Sequence, residues 1–212
     1  MHAALTPPRF PAVILSGGKS SRMGEPKALL GFGAGRLIDH VATRLRPQVT
    51  RIVLNANDPS ITIPGVPSFP DRFADYPGPL AGIHAGLAYI RENEPGATHA
   101  LMVPVDGPFF PTDLAETLAA SLTGPAGIAL TASGGRMHPV LGLWPVSLAD
   151  RLADWLEAPP TLKVRAFLDG LPVHVTEFPF IETPLGPLDP FFNINTREDL
   201  ARARTIISEL DI

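Results

Sequence analysis

Short apolar runs alternate with amphipathic stretches through most of this chain. The apolar runs predict buried strands, and the stretches that carry apolar residues on one face predict helices. Strands separated by helices pair in parallel beneath a helical cover, so this order predicts an α/β fold of three layers (α/β/α) with a mostly parallel, mixed sheet. The predicted strands are residues 12–16, 51–54, 100–105, 127–132, 140–144 and 171–175, and the predicted helices are residues 37–46, 79–91, 147–157 and 161–169, with others beginning near residue 112 and after Thr196.

The length of the chain suits one domain. Its 212 residues are enough to bury a substantial core. Neither a repeat nor a long linker divides the sequence, so we expect residues 1–212 to form a single domain, with residues 1–10 as a loose N-terminal segment. Residues 57–78 are the longest irregular stretch, and long loops in compact domains are usually functional.

The composition excludes several classes of protein. A formal net charge of −4 argues against a nucleic-acid partner, which would require a basic surface. The absence of cysteine excludes disulfides, thiolate zinc sites and cysteine nucleophiles. The sequence shows neither a secretory signal nor an apolar run of the roughly 18 residues that span a membrane. We therefore expect a cytoplasmic protein with no membrane partner.

A glycine-rich loop with two cations follows the first predicted strand. In Leu15-Ser16-Gly17-Gly18 the glycines let a ligand approach the backbone N–H groups, and Arg22 and Lys27 come shortly afterwards. Backbone donors beside two cations form a cradle for phosphate, so the loop predicts a nucleotide site. A Walker A loop is excluded because Val13 stands where its first glycine is needed. The alternative is a tight strand-to-helix turn with solvated cations.

Three predicted strands end on residues suited to binding. Ligands of open parallel sheets bind beyond the carboxyl ends of the strands. Ser16 and Gly17, Asn55 and Asp106 stand at these ends, so we expect them to face one crevice. Asp106 suits Mg²⁺, which takes few carboxylates and completes its shell with phosphate and water, or it caps a turn. Asn55 could bind the edge of a base, or it starts a turn.

The glycine loop belongs to a longer pattern, L-x-G-G-x-x-x-R-M-G-x-x-K, which resembles the signature of the Rossmann-like nucleotidyltransferases. Within them the chain resembles the molybdenum cofactor guanylyltransferases (the molybdopterin-guanine dinucleotide biosynthesis protein A family). The resemblance extends over residues 12 to about 204. Its further segments, in the order of that family, are Asn55-Ala56-Asn57, Asp71, Asp75-Tyr76-Pro77-Gly78-Pro79-Leu80-Ala81-Gly82, Pro104-Val105-Asp106-Gly107-Pro108-Phe109, His138-Pro139-Val140-Leu141-Gly142-Leu143-Trp144 and Phe192-Asn193-Ile194-Asn195-Thr196.

This resemblance implies that GMP is transferred from GTP to molybdopterin with Mg²⁺ as cofactor and with release of pyrophosphate. It implies that Lys27 stabilises charge at the α-phosphate, that Arg22 does so at the departing pyrophosphate, and that Asp106 holds the metal. It further implies GTP binding by Leu15, Ser16, Gly17, Gly18, Lys27, Asn55, Asp71 and Asp106, and a molybdopterin side that contains Gly78, Gly82, Asn193 and Asn195. Transient contact with proteins that handle the cofactor is also expected.

Two departures from the family pattern leave alternatives open. Ser16 replaces a usual alanine, and Pro26 stands where aspartate is common before Lys27. A cytidylyltransferase of the same cofactor, a sugar-phosphate nucleotidyltransferase and a non-catalytic nucleotide-binding protein are the alternatives. Gly17 favours guanine, because an alanine there would crowd the larger base. His138 has no acidic or hydroxyl partner close in sequence and is expected to be structural.

Overall fold

One seven-stranded sheet forms the centre of the protein in a computed structural model that describes residues 9–17, 24–73, 78–159 and 161–210. In chain order its strands are β1 (Ala12–Leu15), β4 (Ile52–Asn55), β5 (Ser68–Phe69), β6 (His99–Pro104), β7 (Ile128–Ser133), β8 (Arg136–Pro145) and β9 (Val173–Glu177). A small hairpin of β2 (Gly31–Phe32) and β3 (Gly35–Arg36) lies apart from it. The spatial order is β5-β4-β1-β6-β8-β7-β9.

The sheet is mixed because β8 alone runs against its neighbours. β5, β4, β1 and β6 pair in parallel, as do β7 and β9, whereas β8 is antiparallel to both β6 and β7. The predicted α/β fold with a mostly parallel, mixed sheet is confirmed. The amino end of β8 therefore lies at the same edge of the sheet as the carboxyl ends of β1, β4 and β6.

Helices cover both faces of the sheet, as the alternation of segments predicts. They are α1 (Leu37–Leu45), α2 (Pro79–Asn93), α3 (Leu114–Ser121), α4 (Ala149–Glu157), α5 (Val164–Leu168) and α6 (Arg197–Leu210), with short 3-10 helices at Lys27–Leu29 and Val146–Leu148. Side chains alternate along a strand, so β1 contributes Ile14 to the core beneath α1 and α3, and Val13 to the core beneath α2, α4 and α5. This alternation produces the three layers.

Helix α2 lies unusually close to the sheet. A Cβ built on Gly86 would come within 3.0 and 3.1 Å of the two methyl groups of Val13 and 3.3 Å of the Met102 methyl. Because the side chain of Gly86 is a single hydrogen atom, helix α2 can lie this close to β1. The helix begins with Pro79 at its first turn, where a missing N–H costs nothing. Its first residues are thereby held at the edge of the sheet where β1 ends.

Several boundaries differ from the prediction for identifiable reasons. β5 falls inside the predicted irregular stretch 57–78, and its two residues are too few to show a pattern. β8 begins at residue 136 rather than 140, because Gly134 and Gly135 take positive φ angles of 54° and 74° and close a tight hairpin with β7. The helix predicted over residues 161–169 is shorter, Val164–Leu168.

The described chain is anchored at its first residues and at the beginning of α6. Phe10 is buried and its carbonyl accepts a hydrogen bond from Thr50 N, so the chain is already packed at residue 10. The helix predicted after Thr196 begins with a capping box: Thr196 Oγ1 accepts from Asp199 N at 3.0 Å, and Asp199 Oδ2 accepts from Thr196 N at 2.9 Å. Within the described ranges, no helix has the length and apolar character needed to cross a membrane.

Candidate active site

A cavity of about 1170 Å³ opens at the edge of the sheet where the parallel strands end. Pockets for a single small ligand usually measure about 300–1000 Å³, so this one has room for two substrates. Its lining comes from the segments after β1, β4, β5 and β6 and from the amino half of β8. The predicted site residues on its lining are Leu15, Ser16, Gly17, Lys27, Asn55, Asp71, Gly78, Gly82, Asp106 and Asn193.

Asp71 is held between two asparagine amides. Asn55 Nδ2 donates to Asp71 Oδ1 at 2.9 Å, and Asn57 Nδ2 donates to Asp71 Oδ2 at 2.8 Å. Asn57 Oδ1 in turn accepts from the backbone N–H of Asp71 at 2.7 Å. Each carboxylate oxygen has two lone pairs, so each oxygen of Asp71 keeps one for a ligand. This end of the cavity therefore offers a fixed pair of acceptors.

Asn55 Oδ1 is a buried acceptor without a donor among the described residues. A Cβ added to Gly82 would lie 2.7 Å from this oxygen, and one added to Gly17 would lie 3.7 Å from it. The absence of a side chain at Gly82 therefore lets the helix pack directly against a buried polar atom, and Gly17 lies nearby without crowding it. Burying an acceptor without a donor is costly, so the arrangement favours a ligand that donates here. Gly82, assigned by resemblance to the molybdopterin side, thus lies against the Asn55 cluster.

Lys27 joins two predicted site residues at the middle of the cleft. Its ammonium lies 2.7 Å from Asn195 Oδ1 and 3.4 Å from Asp106 Oδ2. The Lys27 and Asp106 side chains are 20% and 24% exposed, so the pair is partly screened from water. A half-buried cation at the end of β6 can stabilise negative charge on a phosphate that enters the cleft. Asn195 does not line the cavity itself but reaches it through Lys27.

The segment that carries Asn193 and Asn195 is fixed to the end of β6. Ile194 N donates to the backbone carbonyl of Asp106 at 2.8 Å. A Cβ on Gly107 would come within 3.2 Å of Asn193 Oδ1, so this side chain packs against the glycine. The segment therefore holds one asparagine on the cleft wall and the other on Lys27.

Two predicted site residues lie outside the described part of the chain, namely Gly18 and Arg22. Residues 74–77 of the segment before α2 also lie outside it. Gly78 lines the cavity at the start of α2, and backbone N–H groups at a helix start attract anions.

The carboxylate at the end of β6 fits a hard divalent cation that would take its other ligands from a bound nucleotide. Among residues 9–17, 24–73, 78–159 and 161–210, no three His, Asp or Glu side chains gather into a self-sufficient metal site. Mg²⁺ usually binds through one or two carboxylates and takes its other ligands from substrate phosphates and water. The single carboxylate of Asp106 on the cleft wall agrees with that requirement.

Comparisons with known proteins agree with this geometry. A family model described as the MobA-like NTP transferase domain matches residues 12–175. The molybdenum cofactor guanylyltransferase of Rhizobium meliloti (strain 1021) is 47% identical over 204 residues, which cover 95% of this chain and 93% of that protein. The chain belongs to the molybdenum cofactor guanylyltransferases. The guanylyltransferase of Rhizobium rhizogenes (strain K84 / ATCC BAA-868) is 44% identical and covers 97% and 95% of the two chains.

Solved structures share the fold of this guanylyltransferase at lower identity. Molybdopterin-guanine dinucleotide biosynthesis protein A from Archaeoglobus fulgidus superposes with a TM-score of 0.70 at 23% identity, over 94% of this chain and 99% of that one. A Mycobacterium tuberculosis protein in complex with manganese superposes with a TM-score of 0.65 at 16% identity, over 93% and 99% of the two chains. At these identities the likeness supports the three-layer fold.

Sequence reasoning missed two parts of the guanylyltransferase cleft. The sequence singles out Asn57 only as part of the segment Asn55-Ala56-Asn57 and assigns it no role, yet it forms hydrogen bonds with both the carboxylate and the backbone N–H of Asp71. His138 was expected to be structural, without an acidic or hydroxyl partner close in sequence; the second point is wrong, because its Nε2 lies 2.8 Å from Oγ of Ser133, five positions earlier, which donates to Asp189 at 2.7 Å. Asp189 lies 56 positions beyond Ser133, so no spacing rule could have connected them.

Replacing Gly82 with alanine should raise the KM for GTP about tenfold. The new methyl group would stand 2.7 Å from Asn55 Oδ1 and 3.3 Å from Leu15 Cδ2, so the Asn55 amide must move and its bond to Asp71 weakens. One lost hydrogen bond accounts for a change of this size. Steady-state kinetics with varied GTP measure it. Gly96→Ala is the control, because nothing lies within 4 Å of that position, and an unchanged KM in Gly82→Ala would contradict the prediction.

Proposed function

We propose that this guanylyltransferase transfers GMP from GTP to the terminal phosphate of molybdopterin and releases pyrophosphate. The observation that carries the proposal is one cleft in which the acceptors of Asp71 and Asn55 lie at one end and the Lys27–Asp106–Asn195 group at the middle. The identity of 47% to a named molybdenum cofactor guanylyltransferase supports the choice of substrates. In this proposal the protein acts in the cytoplasm and GTP is the donor of the GMP group.

The acceptors at the β4 and β5 end suit guanine. The Watson–Crick edge of guanine presents an N–H and an amino group side by side, and a carboxylate can accept from both. Two amides fix Asp71 and leave one lone pair on each of its oxygens, and Asn55 Oδ1 adds a buried acceptor. Cytosine offers one amino donor beside ring acceptors, so it would leave these acceptors poorly matched. The proposal therefore favours GTP over CTP.

The transfer proceeds by in-line displacement at the α-phosphorus. A bond forms between this phosphorus and an oxygen of the acceptor phosphate, and the bond to the oxygen that bridges to the β-phosphate breaks. Pyrophosphate leaves with the electron pair. The acceptor phosphate is already anionic, so the chain supplies no nucleophile. Its contribution is to position the reactants and to neutralise charge, which dominate in phosphoryl transfer.

Lys27 and Asp106 serve complementary roles in this scheme. The Lys27 ammonium, fixed by Asn195 and Asp106, faces the charge that builds up at the α-phosphate. Asp106 would hold Mg²⁺, and the bound ion would neutralise phosphate oxygens. Arg22, which follows the glycine loop in sequence, is assigned to the departing pyrophosphate. Gly78, Asn193 and Asn195 are assigned to the acceptor side.

Pyrophosphate release with each of the four nucleoside triphosphates tests the proposal. Each reaction contains Mg²⁺ and either molybdopterin or no acceptor. We expect release with GTP that depends on the acceptor and a much lower rate with CTP, ATP and UTP. Faster turnover of CTP than of GTP would overturn the choice of base. Release that does not depend on molybdopterin would overturn the choice of acceptor.

A further inference from the structure

Ser133, His138 and Asp189 form a hydrogen-bonded chain at the wall of the cleft that the transfer chemistry does not use. Ser133 is buried at the end of β7, His138 lies opposite in the β7–β8 hairpin, and Asp189 comes from the segment before α6. Ser133 Oγ lies 2.8 Å from His138 Nε2 and 2.7 Å from Asp189 Oδ1. Three separate segments thus meet at one hydroxyl group.

The direction of each hydrogen bond follows from the chemistry of the groups. An ionised carboxylate only accepts, so the single proton of the Ser133 hydroxyl goes to Asp189. The Ser133 oxygen is then left as an acceptor, and His138 Nε2 must carry the proton that it receives. Asp189 Oδ1 also accepts from Phe191 N at 2.8 Å, which fixes the carboxylate. The chain therefore sets the tautomer of His138.

The remaining ring nitrogen of His138 is consequently an acceptor. Burial lowers the pKa of His138 and Asp189 opposes this effect, whereas Arg136 lowers the pKa further and Glu177 raises it. The neutral ring with its proton on Nε2 carries a lone pair on Nδ1. This Nδ1 has no hydrogen bond to any described residue and is not a buried atom, and the residue lines the cavity. The open acceptor therefore belongs to the cleft.

The position of His138 separates it from the nucleotide end of the cleft. From β4, which carries Asn55, the sheet passes through β1 and β6 to β8, which carries His138. Three strand spacings separate β4 from β8 by roughly 14 Å. Asp106, at the end of β6, lies between Asn55 and His138. An acceptor nitrogen also repels phosphate oxygens, which cannot donate. The ligand of His138 is therefore neither the base of the nucleotide nor a phosphate group.

We propose that His138 Nδ1, oriented by Asp189 through Ser133, accepts a hydrogen bond from an N–H group on the nitrogen heterocycle of the acceptor substrate. This assignment rests on the proposed function, because molybdopterin is the acceptor that carries such a heterocycle. Phe191 is buried beside His138, with its ring centre 4.9 Å from that of the imidazole, and this packing helps to hold the His138 ring in place. His138 is then a binding residue, and Ser133 and Asp189 are positioning residues.

The first test separates the binding of the two substrates. His138→Phe keeps an aromatic ring on Phe191 but removes the acceptor nitrogen, and Ser133→Ala removes the group that sets the tautomer. We expect both variants to raise the KM for molybdopterin about three- to tenfold, the size of one hydrogen bond. The KM for GTP should stay within about twofold in both. Ser133→Thr restores the hydroxyl group and should return the KM for molybdopterin toward the wild-type value.

The matched control is His174→Phe. His174 on β9 also lies beside a hydroxyl group, with Nε2 2.6 Å from Thr123 Oγ1, but it is not among the residues that line the cavity. The same substitution there should leave both KM values unchanged. Equal increases in the KM for GTP and for molybdopterin in His138→Phe would overturn the assignment, as would no change in either.

A second measurement reads the tautomer directly. In ¹⁵N NMR spectra of the wild-type protein, His138 should carry its proton on Nε2, and Ser133→Ala should convert it to a mixture of tautomers. A wild-type His138 protonated on Nδ1 would overturn the inference whatever the kinetics show. A wild-type enzyme that makes no product from GTP and molybdopterin would instead overturn the proposed function, together with the ligand assigned to His138.

Discussion

Replacing Asp106 with asparagine should lower kcat for GMP transfer by at least about a hundredfold, because the amide removes the negative charge from the candidate metal ligand. The fold should survive the change. The backbone carbonyl of Asp106 accepts from Ile194 N, and asparagine keeps that bond and nearly the same volume. Pyrophosphate release measures the rate, and thermal unfolding measures the stability of the same preparation.

The control for Asp106→Asn is Asp58→Asn, which makes the same change of charge on the lining of the same cavity. Asp58 is exposed, and its carboxylate accepts from Ser60 N at 2.8 Å. We expect kcat of Asp58→Asn to remain within about threefold of wild type, because this exposed charge is distant from the reacting atoms and is screened by salt. Near-normal turnover by Asp106→Asn would remove the metal assignment. Equal losses in both variants would show that the net charge of the cleft matters instead.

Replacing Lys27 with methionine should lower kcat about a hundredfold and change the KM for GTP by less than about fivefold. The ammonium lies 2.7 Å from Asn195 Oδ1 and 3.4 Å from Asp106 Oδ2, so it is held in place before the charge at the α-phosphate develops. A fixed charge that acts mainly in the transition state changes kcat more than KM. Methionine keeps the unbranched chain and removes the charge.

Lys163→Met is the matched control for Lys27. Lys163 is an exposed residue just before α5 and does not line the cavity, so its loss should change neither kcat nor KM. Steady-state kinetics with varied GTP at saturating molybdopterin distinguish the two effects. A large rise in KM with a normal kcat in Lys27→Met would mean that Lys27 binds the ground state and has no special role in the transition state.

The fold could be predicted wherever burial dictates the sequence. β1, β4, β6 and β7 are apolar because both faces of the sheet are covered, and contiguous apolar runs reveal them. The amino half of β8 lies at the cleft instead, where Met137-His138-Pro139 are only half-buried and show no such run. The beginning of β8 could therefore not be predicted, because its residues face the cleft and lack a contiguous apolar pattern.

The candidate site was predictable where a strand end carries a polar residue. Asn55 and Asp106 stand directly after apolar runs, so the rule for parallel sheets places them at the cleft. The role of Asn57 could not be inferred, because its partner Asp71 lies 14 positions away across an irregular segment. The same holds for Ser133 and Asp189, whose meeting depends on the hairpin and on the segment before α6. Contacts between irregular segments that are far apart in the chain produce no periodic pattern from which they could be predicted.

The close packing of α2 against β1 has a consequence for how nucleotide preference can change in this enzyme. Gly82 and Gly86 lie one helical turn apart, with the former against Asn55 and Leu15 and the latter against Val13 and Met102. A side chain that lifts the helix at either position also alters the space around the Asn55 acceptor. Mutations at these two helix positions are therefore expected to change both the stability of the protein and the proposed recognition of the base. In the proposed site, changes in the loop that carries Asp71 leave this helix contact in place, so we expect that loop to be where the recognised base can be altered without loss of the core.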